Sequence, residues 1–393
     1  MTAVHVVGVG MVPFATPRNA APYDEMAEGA IRAALTDAGL GFDAVQQVYA
    51  GFVYGDSTSG QRAVYRVGRT GIPIVNVNNN CSTGSTALWM ARQAVASGDA
   101  DCVLAVGFEQ MQRGALREHW ADRPGPLDEF REVARRKQGW SDDPPLAAQY
   151  FGGAAQDYAD RYGTDPETFA AIAVKARRHA ADNPYAVFRD PVTVDEVLAS
   201  PQVFGLLTRL QCCPPTCGAA AALVTSAEFA RAHGLDTTVR IAAQAMATDT
   251  ASTFETDLPA LVGYDLTVAA ARQVYDRAGV GPEDIPVVEL HDCFTANELL
   301  SYEALGLTPE GTAAKFIADG DNTHGGRVVT NPSGGLLSKG HPLGATGLAQ
   351  CAELVWQLRG QAGPRQVDGA RLALQHNIGL GGAAVVTLYE KVG

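Results

Sequence analysis

Short apolar runs alternate along this chain with stretches whose apolar residues fall at helical spacing, and the alternation occurs twice in the same order. Ile31 and Leu35 lead to Gly39, and Val268, Ala271 and Tyr275 lead to Gly279, each set marking an amphipathic helix that stops at a glycine. Glycine there takes a left-handed backbone without a Cβ clash. An apolar strand is predicted after each stop, over 45–53 and 285–290. A second echo follows. Residues 81–88 open a helix rich in small residues that leads to a strand at 102–107, and residues 341–348 open another that leads to a strand at 371–376. Pro342 suits a first helical position, where its missing N–H would be unpaired anyway. Two echoes in one order predict a duplicated α/β unit with mostly parallel sheets covered by helices.

Between the halves the pattern changes. Pro124-Gly125-Pro126 and Asp142-Asp143-Pro144-Pro145 interrupt it, and basic residues gather: Arg113, Arg117, Arg123, Arg131, Arg135, Arg136, Lys137, Lys175, Arg177 and Arg178. Singly these arginines read as solvated surface, but together they set a positive field on an acidic chain and point to an anionic ligand. The expected organisation is 1–111 as the first half, 112–217 as an inserted loop domain, 218–238 as the last part of the first half, and 239–393 as the second half. Of the 393 residues 46% are hydrophobic and 19% charged, which excludes a disordered chain. A net charge of −13 argues against nucleic acid and anionic membrane as partners. No apolar run approaches the ~18 residues that span a bilayer, so membrane insertion is not expected. Met1–Gly10 lacks the features of a secretory signal and Tyr389–Gly393 lacks a peroxisomal tripeptide, so a cytoplasmic location is expected. Seven cysteines, an odd number, read as reduced thiols.

Four places carry candidate chemistry. Cys81, in Asn78-Asn79-Asn80-Cys81-Ser82-Thr83-Gly84-Ser85, opens a helix whose free amides and dipole would lower its pKa and make the thiolate available. His341 lies in a glycine-dense stretch, 334–347, where a histidine would take a proton from a thiol. His291-Asp292-Cys293-Phe294 follows a predicted strand, at the end of parallel strands where α/β proteins bind ligands. His376-Asn377-Ile378-Gly379-Leu380-Gly381-Gly382 is again at a strand end, able to offer amides to an oxyanion. Cys212, Cys213 and Cys217 lack the paired spacing of a zinc site, so no metal is expected. Gly8-Val9-Gly10 lacks the third glycine of a dinucleotide fingerprint.

In combination, Asn-Asn-Asn-Cys-Ser-Thr-Gly-Ser at 78–85, His-Asp-Cys-Phe at 291–294, Lys-Gly-His-Pro-Leu-Gly-Ala-Thr-Gly at 339–347 and His-Asn-Ile-Gly-Leu-Gly-Gly at 376–382 resemble a thiolase, more narrowly the sterol-carrier-protein (SCP) type, nearly end to end. The resemblance implies a five-layer αβαβα fold of two similar halves with an inserted loop domain, usually in dimers or tetramers. It implies cleavage of 3-oxoacyl-CoA by free CoA, with CoA as co-substrate and no tightly bound cofactor. By position Cys81 matches the acyl-accepting nucleophile, His341 the histidine that activates it, and Cys293 the acid/base. His291 falls at the position of an oxyanion-hole asparagine, and His376 takes the place of a cysteine that other thiolases have. The amides of Cys81 and Ile378 would hold the tetrahedral oxyanion, and Arg177, Arg178 and Cys213 are candidates for the CoA site. Residues 212–218 depart from the pattern of the SCP type, which here would read Cys-Cys-Pro-Thr-Ser-Asp-Gly. The fused lipid-transfer domain of some relatives is not expected. Other readings are a thiolase-like retro-aldol lyase, a decarboxylating ketosynthase, and a non-catalytic acyl-CoA or lipid carrier.

Overall fold

The strands read as unbroken apolar runs because both of their faces are covered. Every residue of Val4–Met11, Cys102–Glu109 and Gly218–Ser226 is buried. The computed structural model describes residues 2–112, 120–141 and 143–393. Arg113 and Arg117 of the basic group, and Asp142, lie outside the described residues.

Among the described residues the first half aligns five strands in the order Ile74–Val77, Gln47–Gly51, Cys102–Glu109, Gly218–Ser226, Val4–Met11. The second half repeats it with Val329–Thr330, Val287–Glu289, Leu372–Gly379, Ala383–Lys391, Val239–Ala247. Counted from its own first strand, each half therefore runs third, second, fourth, fifth, first. A single pairing, His5 with Arg240, joins the two at the seam. The expected mostly parallel sheets are mixed. In each half the second strand runs parallel to the third and fourth. The fifth runs antiparallel to the fourth and first. The turn at 380–382 supplies the reason, since so short a link joins only antiparallel strands. In the first half the same connection, from Glu109 to Gly218, is where the long insertion sits.

Helices complete five layers. Tyr23–Ala38 and Ser59–Tyr65 cover the outer face of the first sheet, and Tyr264–Ala278 covers the second. Between the sheets lie Thr83–Ser97 and Leu343–Arg359, packed on each other. The stops at Gly39 and Gly279 are left-handed, with φ of 69° and 68°. Insertion helices Leu146–Tyr162 and Pro166–Ala180 pack on Thr295–Ala304 of the second half. No helix among the described residues is long and apolar enough to cross a membrane.

The central helices meet backbone to backbone at their N-terminal ends. A Cβ on Gly84 would lie 2.6 Å from the Gly344 carbonyl oxygen, and one on Gly347 would lie 2.3 Å from the Ser85 amide. Gly344 is enclosed further, since its Cβ would meet the carbonyl oxygens of Phe108 at 2.4 Å and Gly51 at 2.7 Å. Those atoms are strand backbone and have nowhere to move. Gly344→Ala is therefore expected to destabilise the protein by about 2–3 kcal/mol or more through overpacking, read as a lowered denaturation midpoint. A shift under about 0.5 kcal/mol would show that the close approach is not required.

Candidate active site

The N-terminal ends of the two central helices open on one crevice, to which both halves and the end of the insertion contribute. The turn Asn79-Asn80-Cys81 enters the first of these helices, with Asn80 in the left-handed region at φ 50°. It is latched to the second half. Asn80 Nδ2 donates to the Leu380 carbonyl at 2.9 Å, and a Cβ on Gly379 would lie 2.1 Å from the Asn79 carbonyl oxygen.

Cys81, His291 and His341 each offer one sulfur or nitrogen, all within 4.8 Å of one another. The two imidazoles stand edge to face, centroids 5.0 Å apart at 87°. His341 Nδ1 lies 2.7 Å from Thr346 Oγ1, and the Thr346 hydroxyl donates to the Pro342 carbonyl at 3.0 Å. The ring must therefore donate its Nδ1–H, which leaves Nε2 a bare acceptor, and Nε2 has no hydrogen-bond partner. Thr216, from the divergent 212–218 stretch, accepts the His341 amide at 2.6 Å. Burial pushes the His341 imidazole down to about 3, so it is neutral.

The thiol of Cys81 does not follow the expectation of a lowered pKa. Burial and the Glu109 carboxylate push it up to about 12, against the opposing pull of the Leu380 amide and its own. The helix end has little to offer, because the Ser82 and Thr83 amides already donate to the Asn79 and Asn80 carbonyls at 3.1 Å. The resting pair is a thiol beside a neutral imidazole. Glu109, which carried no signal in the sequence, accepts the amides of Val53, Tyr54 and Gly344 at 3.1, 2.9 and 3.0 Å. It ties the strand end to the second central helix, and burial raises its own pKa to about 7.

His291 and Cys293 both lie in the crevice. The Cys293 carbonyl accepts the Cys213 amide at 2.8 Å, and burial together with the neighbouring Cys213 and Cys81 thiols pushes the Cys293 thiol well up. Cys213, considered for CoA, thus stands beside the thiols of Cys81 and Cys293. Between them Asp292 accepts the Leu336 and Leu337 amides at 2.7 and 3.3 Å, which fixes the segment to the glycine-dense stretch. Asn297 donates to the His291 carbonyl.

His376, expected in the site, lies within electrostatic reach of His291 but turns its ring away from the crevice. Its Nε2 lies 2.9 Å from Thr267 Oγ1 on the outer helix Tyr264–Ala278, because neighbours in a strand face opposite ways. The residue that enters is Asn377, whose amide nitrogen lies 2.7 Å from His291 Nδ1. The Leu380 amide acts on the Cys81 sulfur, and the Ile378 side chain packs against Gly263. Strand alternation, counted from Gly379, was the signal for Asn377. Arg177 lies over the Phe188 ring at 4.7 Å, and Arg178 donates to Thr323 Oγ1 at 2.8 Å. Among the described residues the one group with metal-ligating proximity is Cys81, His291 and His341, not the Cys212–Cys217 cluster weighed from the sequence.

The family model described as Thiolase, N-terminal domain matches residues 4–228, and that described as Thiolase C-terminal domain-like matches 245–390. The chain is 56% identical over 392 residues to sterol carrier protein 2 of Rattus norvegicus, covering 98% of this chain and 72% of that protein. It is 36% identical over 399 residues to an acetyl-CoA acetyltransferase of Methanothermobacter thermautotrophicus, covering 100% of each. Among solved structures, the Ltp2-ChsH2(DUF35) aldolase superposes with a TM-score of 0.84 at 26% identity, covering 99% of this chain and 98% of that one.

A thiol held up to about 12 has a measurable consequence. Alkylation of Cys81 by iodoacetamide should be slow at neutral pH and rise about tenfold per pH unit from 7 to 9, following the thiolate fraction. A plateau reached below pH 8 would mean that the helix end wins over burial.

Proposed function

This chain belongs to the thiolase family, and on that premise we propose that it is an SCP-type thiolase, cleaving 3-oxoacyl-CoA with CoA to acetyl-CoA (or propionyl-CoA) and a shortened acyl-CoA. The observation that carries the reading is the bare His341 Nε2 at a crevice that also holds the thiols of Cys81 and Cys293. In the reaction, Cys81 Sγ attacks the 3-keto carbon as its proton passes to His341 Nε2. Because thiol and imidazole are both neutral at rest, transfer accompanies attack and needs no preformed ion pair. The C2–C3 bond then breaks and its electrons move to the thioester enolate, whose oxygen faces His291 and the His341 imidazolium. Cys293 gives its proton to C2 and becomes a thiolate, a strong base in this buried place. It takes the proton of incoming CoA, the CoA sulfur attacks the acyl carbon, and Cys81 leaves and recovers its proton from His341. Every proton is returned. The amides of Cys81 and Ile378, with that of Leu380 beside the sulfur, would hold the tetrahedral oxyanion.

Arg177 and Arg178, on insertion helix Pro166–Ala180, are the candidates to meet the phosphates of CoA. A cytoplasmic homodimer or homotetramer belongs to the same proposal. The likeness to an aldolase favours a second reading, a retro-aldol lyase acting on a 3-hydroxyacyl-CoA without free CoA. Such a lyase has no use for a nucleophile at Cys81.

One assay separates them. Loss of a 3-oxoacyl-CoA should require free CoA and vanish in Cys81→Ala. Cys293→Ala should lower turnover by about 10²–10⁴ while acetyl-CoA still acetylates Cys81, seen as added mass. Full turnover in Cys293→Ala would return the acid/base role to another group, and CoA-independent cleavage of a 3-hydroxyacyl-CoA surviving in Cys81→Ala would favour the lyase.

A further inference from the structure

His341 and His291 flank the same sulfur, yet their outer nitrogens are held in opposite ways. Behind His291 runs a buried chain of side chains from both halves, and the hydrogen bonds along it allow one orientation at every link. It begins at a fixed acceptor. Gln375 Nε2 lies 2.6 Å from the Gly347 carbonyl, which only accepts, so the amide nitrogen must point that way. Its carbonyl end, Oε1, takes the Tyr389 hydroxyl at 2.5 Å, which is the same orientation read from the other side. The same Nε2 donates to Ser85 Oγ at 2.9 Å. Ser85 then has one proton to give, and its next neighbour is Asn377 Oδ1 at 2.8 Å. With Oδ1 so engaged, Asn377 presents Nδ2, a donor, to His291 Nδ1 at 2.7 Å. His291 Nδ1 must accept. On a neutral ring the hydrogen is left on Nε2, facing the crevice, and burial with the nearby His341 and His376 keeps the ring neutral.

We propose that Gln375, Ser85 and Asn377 are positioning residues that lock His291 as the Nε2–H tautomer, so that it donates to the thioester oxygen of the departing enolate and never competes with His341 for the Cys81 proton. The donor role rests on the thiolase reading; the tautomer does not. The division is then complete: Thr346 makes His341 an acceptor, and Asn377 makes His291 a donor. All four polar members, Ser85, Gln375, Asn377 and His291, are buried at 0–1% exposure, so no water re-sets the direction. Ser85 belongs to the first central helix and the rest to the second half, so the tautomer depends on the two halves being docked.

Asn377→Asp tests this with almost no change of shape. A carboxylate only accepts, so it would draw the His291 proton to Nδ1 and leave Nε2 bare. Selective ¹⁵N labelling of histidine distinguishes bare from protonated nitrogens, with the His291 signal identified by its loss in His291→Gln. The expected result is a bare Nδ1 in the unaltered protein and a protonated Nδ1 in Asn377→Asp. Turnover in Asn377→Asp should fall about 10²–10³-fold, the cost of one oxyanion donor, in kcat and with KM little changed. Ser85→Ala, which leaves Asn377 free to rotate, serves where a buried carboxylate fails to fold, and should show both ring forms. A protonated Nδ1 in the unaltered protein overturns the relay whatever the enzyme's substrate. The expected spectra with undiminished turnover in Asn377→Asp overturn the donor role alone. Absence of CoA-dependent cleavage in the unaltered protein counts against the thiolase reading, while the spectra still decide the relay.

Discussion

Two helices deliver their N-terminal ends to one small space only if their backbones touch, and side chains larger than hydrogen would hold them apart. Gly84, Gly344 and Gly347 remove that obstacle where Thr83–Ser97 crosses Leu343–Arg359. From this contact follow the meeting of Cys81 with His341, the reach of Ser85 to Asn377, and the path of Glu109 to the Gly344 amide. The sheets outside these helices hold the two ends in register, with Cys81 contributed by the first half and His291, Cys293 and His341 by the second.

The contact also settles the electrostatics. Around so close a join burial is what holds the Cys81 thiol protonated and the His291 and His341 imidazoles neutral, although Cys81 itself is only partly covered. Charge is confined to a deeper set of partners. Lys339 lies 3.4 Å from Glu289 and 2.8 Å from Ser333 Oγ, and Lys175 bonds to Glu298 and Thr330. These pairs lie under the segments that carry His291, Cys293 and His341. An environment of fixed dipoles and few free charges favours reactions in which charge appears only in passing, since the surroundings need not reorganise when it does.

Much of this was legible in the residues. Gly39 and Gly279 mark equivalent helix stops, and the paired glycine-rich helix starts placed Cys81 and His341 at equivalent points of the two halves. His291 and Cys293 were found because a strand end is where a ligand is met. Part of what was not legible was the direction of side chains relative to a face. His376 looked reactive and Asn377 did not, yet a period of two in Leu372–Gly379 gives the crevice to the amide. The strand sense was missed because the short turn at 380–382 was not read as a hairpin. The raised thiol of Cys81 was missed because the helix dipole is a local property, whereas burial and Glu109 come from segments far apart in the chain.

The latch between the Asn79-Asn80-Cys81 turn and Gly379-Leu380 also bears on how the protein is made. The segment that closes over the cysteine is separated from that turn by 300 positions, counted from Asn80 to Leu380, and leaves the ribosome long after it. Until then the crevice around the cysteine lacks that contact. Arrival of the late segment, which follows His341 in the chain, is thus what completes the crevice around Cys81.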